Sequence, residues 1–211
     1  MMILVLAAHP DDEVLGCGGS IARWVREGHT VRVMVFAEND ARHHSNAVKD
    51  HMDAAMTELG YQSLSYVCLP DQQLESYFPT IVGKIEEQVA FLNPDLVVGH
   101  TKYDLNRDHR IVNEAMLVAT RAHRSNAEVW EYPIQCGNYG AVNGDFRPNV
   151  WVRLAAPDLQ HKKDAMECYK LETQPVPGFR NDRAIEAQAV SRGLECYSMF
   201  AEAFVQVKRV L

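Results

Sequence analysis

Short apolar runs alternate with amphipathic segments through the first half of the chain, and this alternation limits the possible folds most strongly. Four runs predict strands, at 3–8, 30–37, 64–70 and within 93–100. The first run is apolar throughout, as in a strand buried on both faces. Segments with helical spacing of apolar residues follow the runs, at 13–27, 41–59, 80–92 and 109–123. Strands and helices in this order form right-handed crossovers, so the sequence predicts an α/β fold with an open, doubly wound, mostly parallel sheet.

The last third of the chain is less regular. Two predicted strands, at 129–134 and 149–155, flank a loop at 137–144 that is rich in Gly and Asn. Two predicted helices follow at 157–171 and 183–197, and a final strand is expected within 199–210. Neither internal repeats nor a low-complexity linker divide the 211 residues, of which 47% are apolar. We therefore expect one domain over residues 1–211.

The composition argues against several classes of protein. A net charge of −7 without a run of like charges argues against nucleic-acid binding. No uncharged apolar stretch reaches the roughly 18 residues that a bilayer-spanning helix needs, so no membrane span is expected. The five cysteines are scattered and form no CxxC pair, unlike those of a disulfide framework or a cysteine zinc site. The expected location is reducing and cytoplasmic.

Two polar clusters follow predicted strands. "AHPDDE" at 8–13 follows the first strand, and "HTKYDLNRDHR" at 100–110 follows the fourth. Ligands of open α/β sheets bind outside the carboxyl ends of the strands, so the two clusters are expected to share one edge. The local alternative is that Asp11 or Asp12 caps the next helix, with Glu13 as an acid of its first turn. The second cluster, with its own histidines, favours a site.

The residue types in these clusters suit a zinc ion. Zinc in a catalytic centre takes three nitrogen or oxygen ligands and leaves one position for water. His9 and Asp12 are three residues apart, close enough to bind one ion, and His109 can supply the third ligand. Asp11 then remains free as a general base for water whose pKa the metal lowers. Iron or another divalent ion stays open, because a His/His/Asp ligand set discriminates poorly between metals.

With these residues the chain resembles the LmbE/PIG-L-like family of zinc-dependent N-acetylglucosaminyl deacetylases. The matching stretches are "AHPDDE", the pair Asp108-His109, "RG" at 192–193 and "AEAF" at 201–204. The resemblance implies a Rossmann-like sheet with helices on both faces. It also implies zinc on His9, Asp12 and His109, with Asp11 as the base. The implied substrate is a small N-acetylated amino sugar, free or conjugated, and a homo-oligomer stays open because members of the family often assemble.

The chain departs from the family pattern at one position. Many members of the family carry a histidine three residues before the ligand histidine, where it stabilises the oxyanion, and this chain has Asn106 at that position. Asparagine can donate a hydrogen bond but carries no positive charge, and His100 is the alternative source of that charge. Asp108 is expected to orient a neighbouring group. Arg42 and Arg107 are candidates for substrate contacts, with solvated surface charge as the alternative.

Two other functions are also compatible with the sequence. The first is a non-catalytic sugar-binding or regulatory module on the same fold, which the asparagine at 106 favours. The second is a hydrolase of a different amide. A nucleotide-cofactor site is disfavoured, because "GCGG" at 16–19 does not meet the G-x-G-x-x-G pattern. These glycines are interpreted as letting the first helix approach the sheet closely.

Overall fold

The computed structural model describes residues 1–38, 45–134, 145–170 and 172–209. The strands are β1 (Met2–Ala7), β2 (Thr30–Ala37), β3 (Ser63–Leu69), β4 (Leu96–His100), β5 (Glu128–Tyr132), β6 (Val150–Leu154) and β7 (Phe200–Lys208). The α-helices are α1 (Asp12–Arg26), α2 (Ser45–Leu59), α3 (Phe78–Leu92), α4 (Arg107–Ala119), α5 (Ala156–Cys168) and α6 (Asp182–Glu195). A 3₁₀ turn at Leu74–Tyr77 precedes α3.

The strands form one mixed sheet in the order β3-β2-β1-β4-β5-β7-β6. The five strands from β3 to β5 are parallel, and β7 is antiparallel to both β5 and β6. The order of the strands changes side between β1 and β4: β2 and β3 lie on one side of β1, and β4 and β5 lie on the other. The structure is therefore an α/β fold with a mostly parallel sheet.

Helices cover both faces of the sheet. Successive side chains of β1 point to opposite faces: Ile3 and Val5 belong to one buried cluster, and Leu4 and Leu6 belong to the other. The first cluster includes apolar residues of α1, α2, α5 and α6, whereas the second includes those of α3 and α4. A strand covered on both faces has no polar side to expose, which explains why β1 is apolar throughout.

Most predicted elements lie within a few residues of their observed bounds, and 30–37 coincides with β2. The predicted helix at 109–123 is shifted: α4 begins at Arg107 and ends at Ala119. The predicted start of the second helix at 41 and the loop at 137–144 lie outside the described residues. The final strand was expected, but its insertion between β5 and β6 depends on long-range pairing and was not.

Two of the three glycines of α1, Gly16 and Gly19, allow close approach between the helix and the sheet, as the sequence predicts. A Cβ atom added to Gly16 would lie 2.2 Å from Cδ2 of Tyr132, and one on Gly19 would lie 2.5 Å from Cδ1 of Leu154. A distance under 3.0 Å forces a neighbouring atom to move. A side chain at Gly16 would therefore displace the buried ring of Tyr132 or α1 itself, whereas one at Gly19 would displace the flexible end of Leu154. Within the described part of the chain no helix is long and apolar enough to cross a bilayer.

Candidate metal centre

The parallel pairing of β1 with β4 brings the two polar clusters together. His9 and Asp12 lie in the turn that leads from β1 into α1, and His100 is the last residue of β4. The short loop after β4 leads into α4, whose first turns carry His109. Because both strands end at the same edge of the sheet, residues about 100 positions apart in the chain become neighbours.

The three predicted metal ligands form a nearly equilateral triangle of donor atoms. Nδ1 of His9 lies 3.2 Å from Nε2 of His109 and 3.3 Å from Oδ2 of Asp12, and the third edge, from His109 to Asp12, is also 3.3 Å. Zinc–nitrogen and zinc–oxygen bonds of about 2.0–2.1 Å place tetrahedral ligands about 3.3–3.4 Å apart. The donor set and its spacing therefore fit one face of a zinc tetrahedron.

Each of the two histidines has a carboxylate behind its other ring nitrogen. Nδ1 of His109 lies 3.0 Å from Oδ2 of Asp104. Nε2 of His9 lies 3.0 Å from Oδ1 of Asp71 and 3.4 Å from Oδ2 of Asp108. Carboxylates at these positions fix the tautomer and ring orientation of metal-binding histidines. The arrangement leaves Nδ1 of His9 and Nε2 of His109 facing the shared centre.

The buried charges of the centre shift the pKa values of its members strongly. Burial lowers the pKa of His109, but the neighbouring Asp12 and Asp104 outweigh it and raise the pKa to about 9. Burial likewise lowers the pKa of His9, and its carboxylate partners, chiefly Asp108, raise it well above the usual value. Burial alone would raise the pKa of Asp12, but His109 and His100 hold it well below its usual range. Asp12 is thus an anion that draws positive charge to this point.

Asp11 faces a different partner from Asp12. Its backbone has φ 98°, and its side chain makes no capping hydrogen bond to α1. The capping alternative therefore does not describe Asp11. Oδ2 of Asp11 accepts a hydrogen bond from Nε of Arg180 at 2.7 Å, while Oδ1 is buried and has no partner among the described residues. Burial raises the pKa of Asp11 well above its usual value, and the charge of Arg180 opposes that rise.

The two residues expected to stabilise an oxyanion have other contacts. Asn106 is exposed and caps α4, with its side-chain oxygen accepting from the backbone N–H of Asp108 at 2.9 Å. His100 is fully buried, and its Nε2 accepts the backbone N–H of Ala8 at 2.9 Å. Burial and the charge of His109 lower the pKa of His100 to about 4. His100 is therefore a neutral ring here, which does not suit the supply of positive charge expected of it.

Asp108 connects the first turn of α4 to the loop after β3. Its two carboxylate oxygens accept the backbone N–H groups of Gln72, at 2.8 Å, and Leu74, at 3.2 Å. The loop that carries Asp71 is thereby held against the centre. Asp108 thus contacts both the loop after β3 and the ring of His9, and its role as an orienting carboxylate stays a prediction.

Glu13 does more than the first-turn acid that the sequence suggested. It is fully buried, and its Oε1 accepts a hydrogen bond from the hydroxyl of Tyr169 at 2.6 Å. Burial raises the pKa of Glu13 to about 7, although the bond from Tyr169 opposes the rise. A solvated helix acid would have neither property, so Glu13 ties the start of α1 to the residue that follows α5.

A break inside α1 is held by a buried ion pair. Helical geometry is interrupted at Cys17, with φ −148° and ψ 23°. Beyond the break, the backbone N–H groups of residues 19–20 donate to the carboxylate of Glu202 at 3.1 and 2.7 Å. Before it, the carbonyl of Leu15 accepts from Nζ of Lys162 at 2.8 Å, and Lys162 pairs with Glu202 at 2.6 Å. The pair satisfies backbone groups that the break frees.

Of the two arginines expected to contact substrate, only Arg107 lies within the described residues. Arg42 lies outside the described residues. Arg107 is exposed and pairs with Glu75, beside a groove of about 480 Å³ that runs along α4. Arg110, a further cation of that groove, donates to the backbone carbonyls of residues 104 and 105, both at 2.7 Å. Arg110 thus has a structural role in holding the loop before α4.

Three residues of the centre were not predicted from the sequence: Asp71, Asp104 and Arg180. Asp71 follows β3 at the same edge of the sheet, so the strand-end rule was the available signal. Asp104 lies inside the stretch at 100–110, in which Asp108 is the acid with a predicted role. Arg180 comes from the loop between α5 and α6, 169 residues after its partner, and no local pattern marks it.

The family model described as PIG-L, GlcNAc-PI de-N-acetylase, matches residues 4–120. The match covers more than half of the 211 residues, so the chain belongs to this family, and the resemblance inferred from the sequence is confirmed. A curated relative, the uncharacterized deacetylase YaiS of Escherichia coli K12, is 26% identical over 126 residues, which are 56% of this chain and 68% of YaiS.

Solved structures share the fold over nearly the whole chain. The conserved protein TT1542 from Thermus thermophilus has a TM-score of 0.80 and 24% identity, covering 99% of this chain and 96% of its own. The N,N'-diacetylchitobiose deacetylase from Pyrococcus horikoshii has 0.74 and 16%, covering 96% and 82%. GalB, the 4-carboxy-2-hydroxymuconate hydratase from Pseudomonas putida KT2440, has 0.77 and 17%, covering 100% and 97%. A deacetylase and a hydratase share this fold, so the reaction has to be argued from the site.

Proposed function

We propose that the chain is a zinc-dependent N-deacetylase that hydrolyses the acetamide of an N-acetylated amino sugar, free or conjugated, to acetate and the free amine. The triangle formed by His9 Nδ1, Asp12 Oδ2 and His109 Nε2, with edges of 3.2–3.3 Å, carries this proposal. Membership of the de-N-acetylase family supports the reaction class. The strand order β3-β2-β1-β4-β5 supports a Rossmann-like description of the fold.

The metal and the base have separate residues in this proposal. His9, Asp12 and His109 would hold the ion, which when bound supplies polarisation of the substrate carbonyl and acidification of water. Asp11 lies next in sequence to a ligand, and its buried Oδ1 has no partner among the described residues. Asp11 accepts a proton from the attacking water and returns it to the departing amine. The sum is one water consumed, one C–N bond broken, and acetate and amine released.

The remaining residues position these groups. Asp104 and Asp71 hold the two histidine rings by their outer nitrogens, so that the inner nitrogens present lone pairs to the metal. Asp108 holds the loop of Asp71 against α4. We expect a centre held by these contacts to keep its ligands and base in place for the substrate amide, and such positioning is one general source of rate enhancement.

The first test is metal content together with acetate release. We expect about one zinc per chain by plasma mass spectrometry, and release of acetate from N-acetylglucosamine, from its β1,4-linked dimer or from a conjugate. His109→Ala is expected to lose the metal. Asp11→Asn is expected to keep it while the rate falls by about 10²–10⁴-fold, and Asp145→Asn, an exposed acid, serves as the matched control.

Other outcomes identify the alternatives. Release of a different acyl group, but not acetate, would favour a hydrolase of another amide. Tight sugar binding without turnover, unchanged by Asp11→Asn, would favour a binding module. A wild-type protein that takes up no divalent metal when it is supplied would contradict the proposed centre itself.

A further inference from the structure

The carboxylate of Asp11 is held on one side only. Oδ2 accepts the Nε–H of Arg180 at 2.7 Å, and Oδ1 is buried with no partner among the described residues. The side chain of Asp11 is 1% exposed and that of Arg180 is 24% exposed. A buried carboxylate oxygen without a hydrogen-bond partner costs free energy, and such exceptions call for a functional explanation. The geometry thus separates the carboxylate into a fixed oxygen and an available one.

The loop that presents Arg180 is fastened by its neighbours. The side-chain amide of Asn181 donates to the carbonyls of Gln174 and Gly178 at 3.1 and 2.6 Å. The side-chain oxygen of Asn181 accepts from the backbone of Ala184 at the start of α6. The carbonyl of Arg180 accepts the backbone N–H of Gln174 at 2.9 Å, which closes the loop. The backbone that carries Arg180 is therefore held in place by hydrogen bonds within the loop and by the start of α6.

The two residues that the sequence suggested for the oxyanion, Asn106 by a hydrogen bond and His100 by positive charge, have other contacts. Asn106 caps α4, and the ring of His100 is used as an acceptor by the backbone of Ala8. Arg180 lies against Asp11 from outside both polar clusters, with its guanidinium 4.7 Å from the ring centroid of Phe179. A cation beside the base also stabilises the negative charge that builds up when water attacks an amide.

We propose that Arg180 is a positioning residue for the deacetylation: it fixes Oδ2 of Asp11 so that Oδ1 faces the water and then the leaving amine. This inference rests on the proposed function. Its physical basis is orientation, because the Nε–H of Arg180, 2.7 Å from Oδ2, favours the rotations of the carboxylate that keep this oxygen at Arg180. A base misplaced by about 1 Å can cost about 100-fold in rate.

The kinetic test compares Arg180→Gln and Arg180→Lys with Arg147→Gln. Arg147 is an exposed arginine that also pairs with one aspartate, Asp145, so it controls for the loss of one surface cation. We expect Arg180→Gln to lower kcat by about 100-fold, with KM and zinc content within about threefold of wild type. Arg180→Lys should be intermediate. Arg147→Gln should keep the wild-type kcat, and millimolar guanidinium should restore part of the activity of Arg180→Gln while leaving that of Arg147→Gln unchanged.

A second measurement reads the contact without turnover. In ¹⁵N–¹H spectra of the zinc-loaded protein, the Nε–H resonance of Arg180 is identified by its loss in Arg180→Gln. We expect it to be protected from exchange and to shift in Asp11→Asn. A resonance that is insensitive to Asp11 would show that the contact is absent and would overturn the inference.

The kinetic outcomes separate the two proposals. An active wild type with Arg180→Gln within twofold of its kcat overturns the role of Arg180 alone. A rate loss that guanidinium leaves unchanged and that accompanies loss of zinc indicates a structural role and overturns it too. A zinc-loaded wild type that releases no acetate overturns the proposed function, and the positioning role falls with it.

Discussion

Nδ1 of His9 and Nε2 of His109 lie 3.2 Å apart, although the two residues are separated by 100 positions in the chain. The parallel pairing of β1 with β4 sets this distance, since one histidine follows β1 and the other follows the loop after β4. Both ring nitrogens also lie 3.3 Å from Oδ2 of Asp12. A divalent cation bound between the three atoms would stabilise this arrangement, and any proton on these nitrogens must be released before the cation binds.

The contact between Asp104 and His109 predicts a change in metal affinity. Asp104→Asn removes the charge behind Nδ1 of His109 but keeps an oxygen that can accept the backbone N–H of Asn106. We expect the zinc dissociation constant to rise by about 10–100-fold, measured by competition with a chelator. Asp145→Asn should leave it unchanged, and an unaltered constant in Asp104→Asn would exclude a role for this carboxylate in the centre.

Metal binding should release protons. The pKa of His109 is raised to about 9, so its ring is largely protonated near pH 7.5 in the metal-free protein, and the pKa of His9 is raised in the same direction. A raised pKa means that protons compete with the metal below that pKa. Zinc affinity should therefore fall as the pH is lowered and rise as the pH approaches 9.

Calorimetry can count these protons. Titrations of metal-free protein with zinc at pH 7.5, in buffers of different ionisation enthalpy, should show release of at least one proton per ion. A binding enthalpy that does not depend on the buffer would contradict the protonated state inferred for His109.

Gly16 should tolerate no side chain. The added Cβ of Gly16→Ala would lie 2.2 Å from the ring of Tyr132, and we expect a loss of about 1–3 kcal/mol in the free energy of unfolding. Gly83→Ala, in α3, meets nothing within 4 Å and should gain about 0.5–1 kcal/mol. Urea unfolding of both variants measures the difference. Equal effects would mean that α1 can shift away from the sheet without cost.

The buried pair of Lys162 and Glu202 should be essential to the fold around α1. Lys162→Met leaves Glu202 buried without its partner, and we expect a loss of about 3–5 kcal/mol in the free energy of unfolding. Lys84→Met breaks an exposed pair with Glu87 and should change stability by less than about 1 kcal/mol. Urea unfolding is again the measurement, and a loss below about 1 kcal/mol in Lys162→Met would show that the break in α1 needs no such support.

The elements that were predicted well are those whose pattern is local. The apolar run at 30–37 has the bounds of β2, because a run of β-branched and other apolar side chains is visible in adjacent residues. The helix at 13–27 corresponds to α1 within one residue at each end, but the break at Cys17 was not predicted. That break depends on Glu202 and Lys162, which lie far along the chain.

The sequence by itself determined the α/β alternation, the two strand ends that carry histidines and carboxylates, and the candidate ligands His9, Asp12 and His109. These follow from residue type and short-range spacing. Only the tertiary structure decided the insertion of β7 between β5 and β6, the carboxylates behind each histidine, and the pairing of Arg180 with Asp11. Contacts between distant segments depend on how helices and loops pack over the sheet, and a local pattern does not encode the direction in which a loop returns.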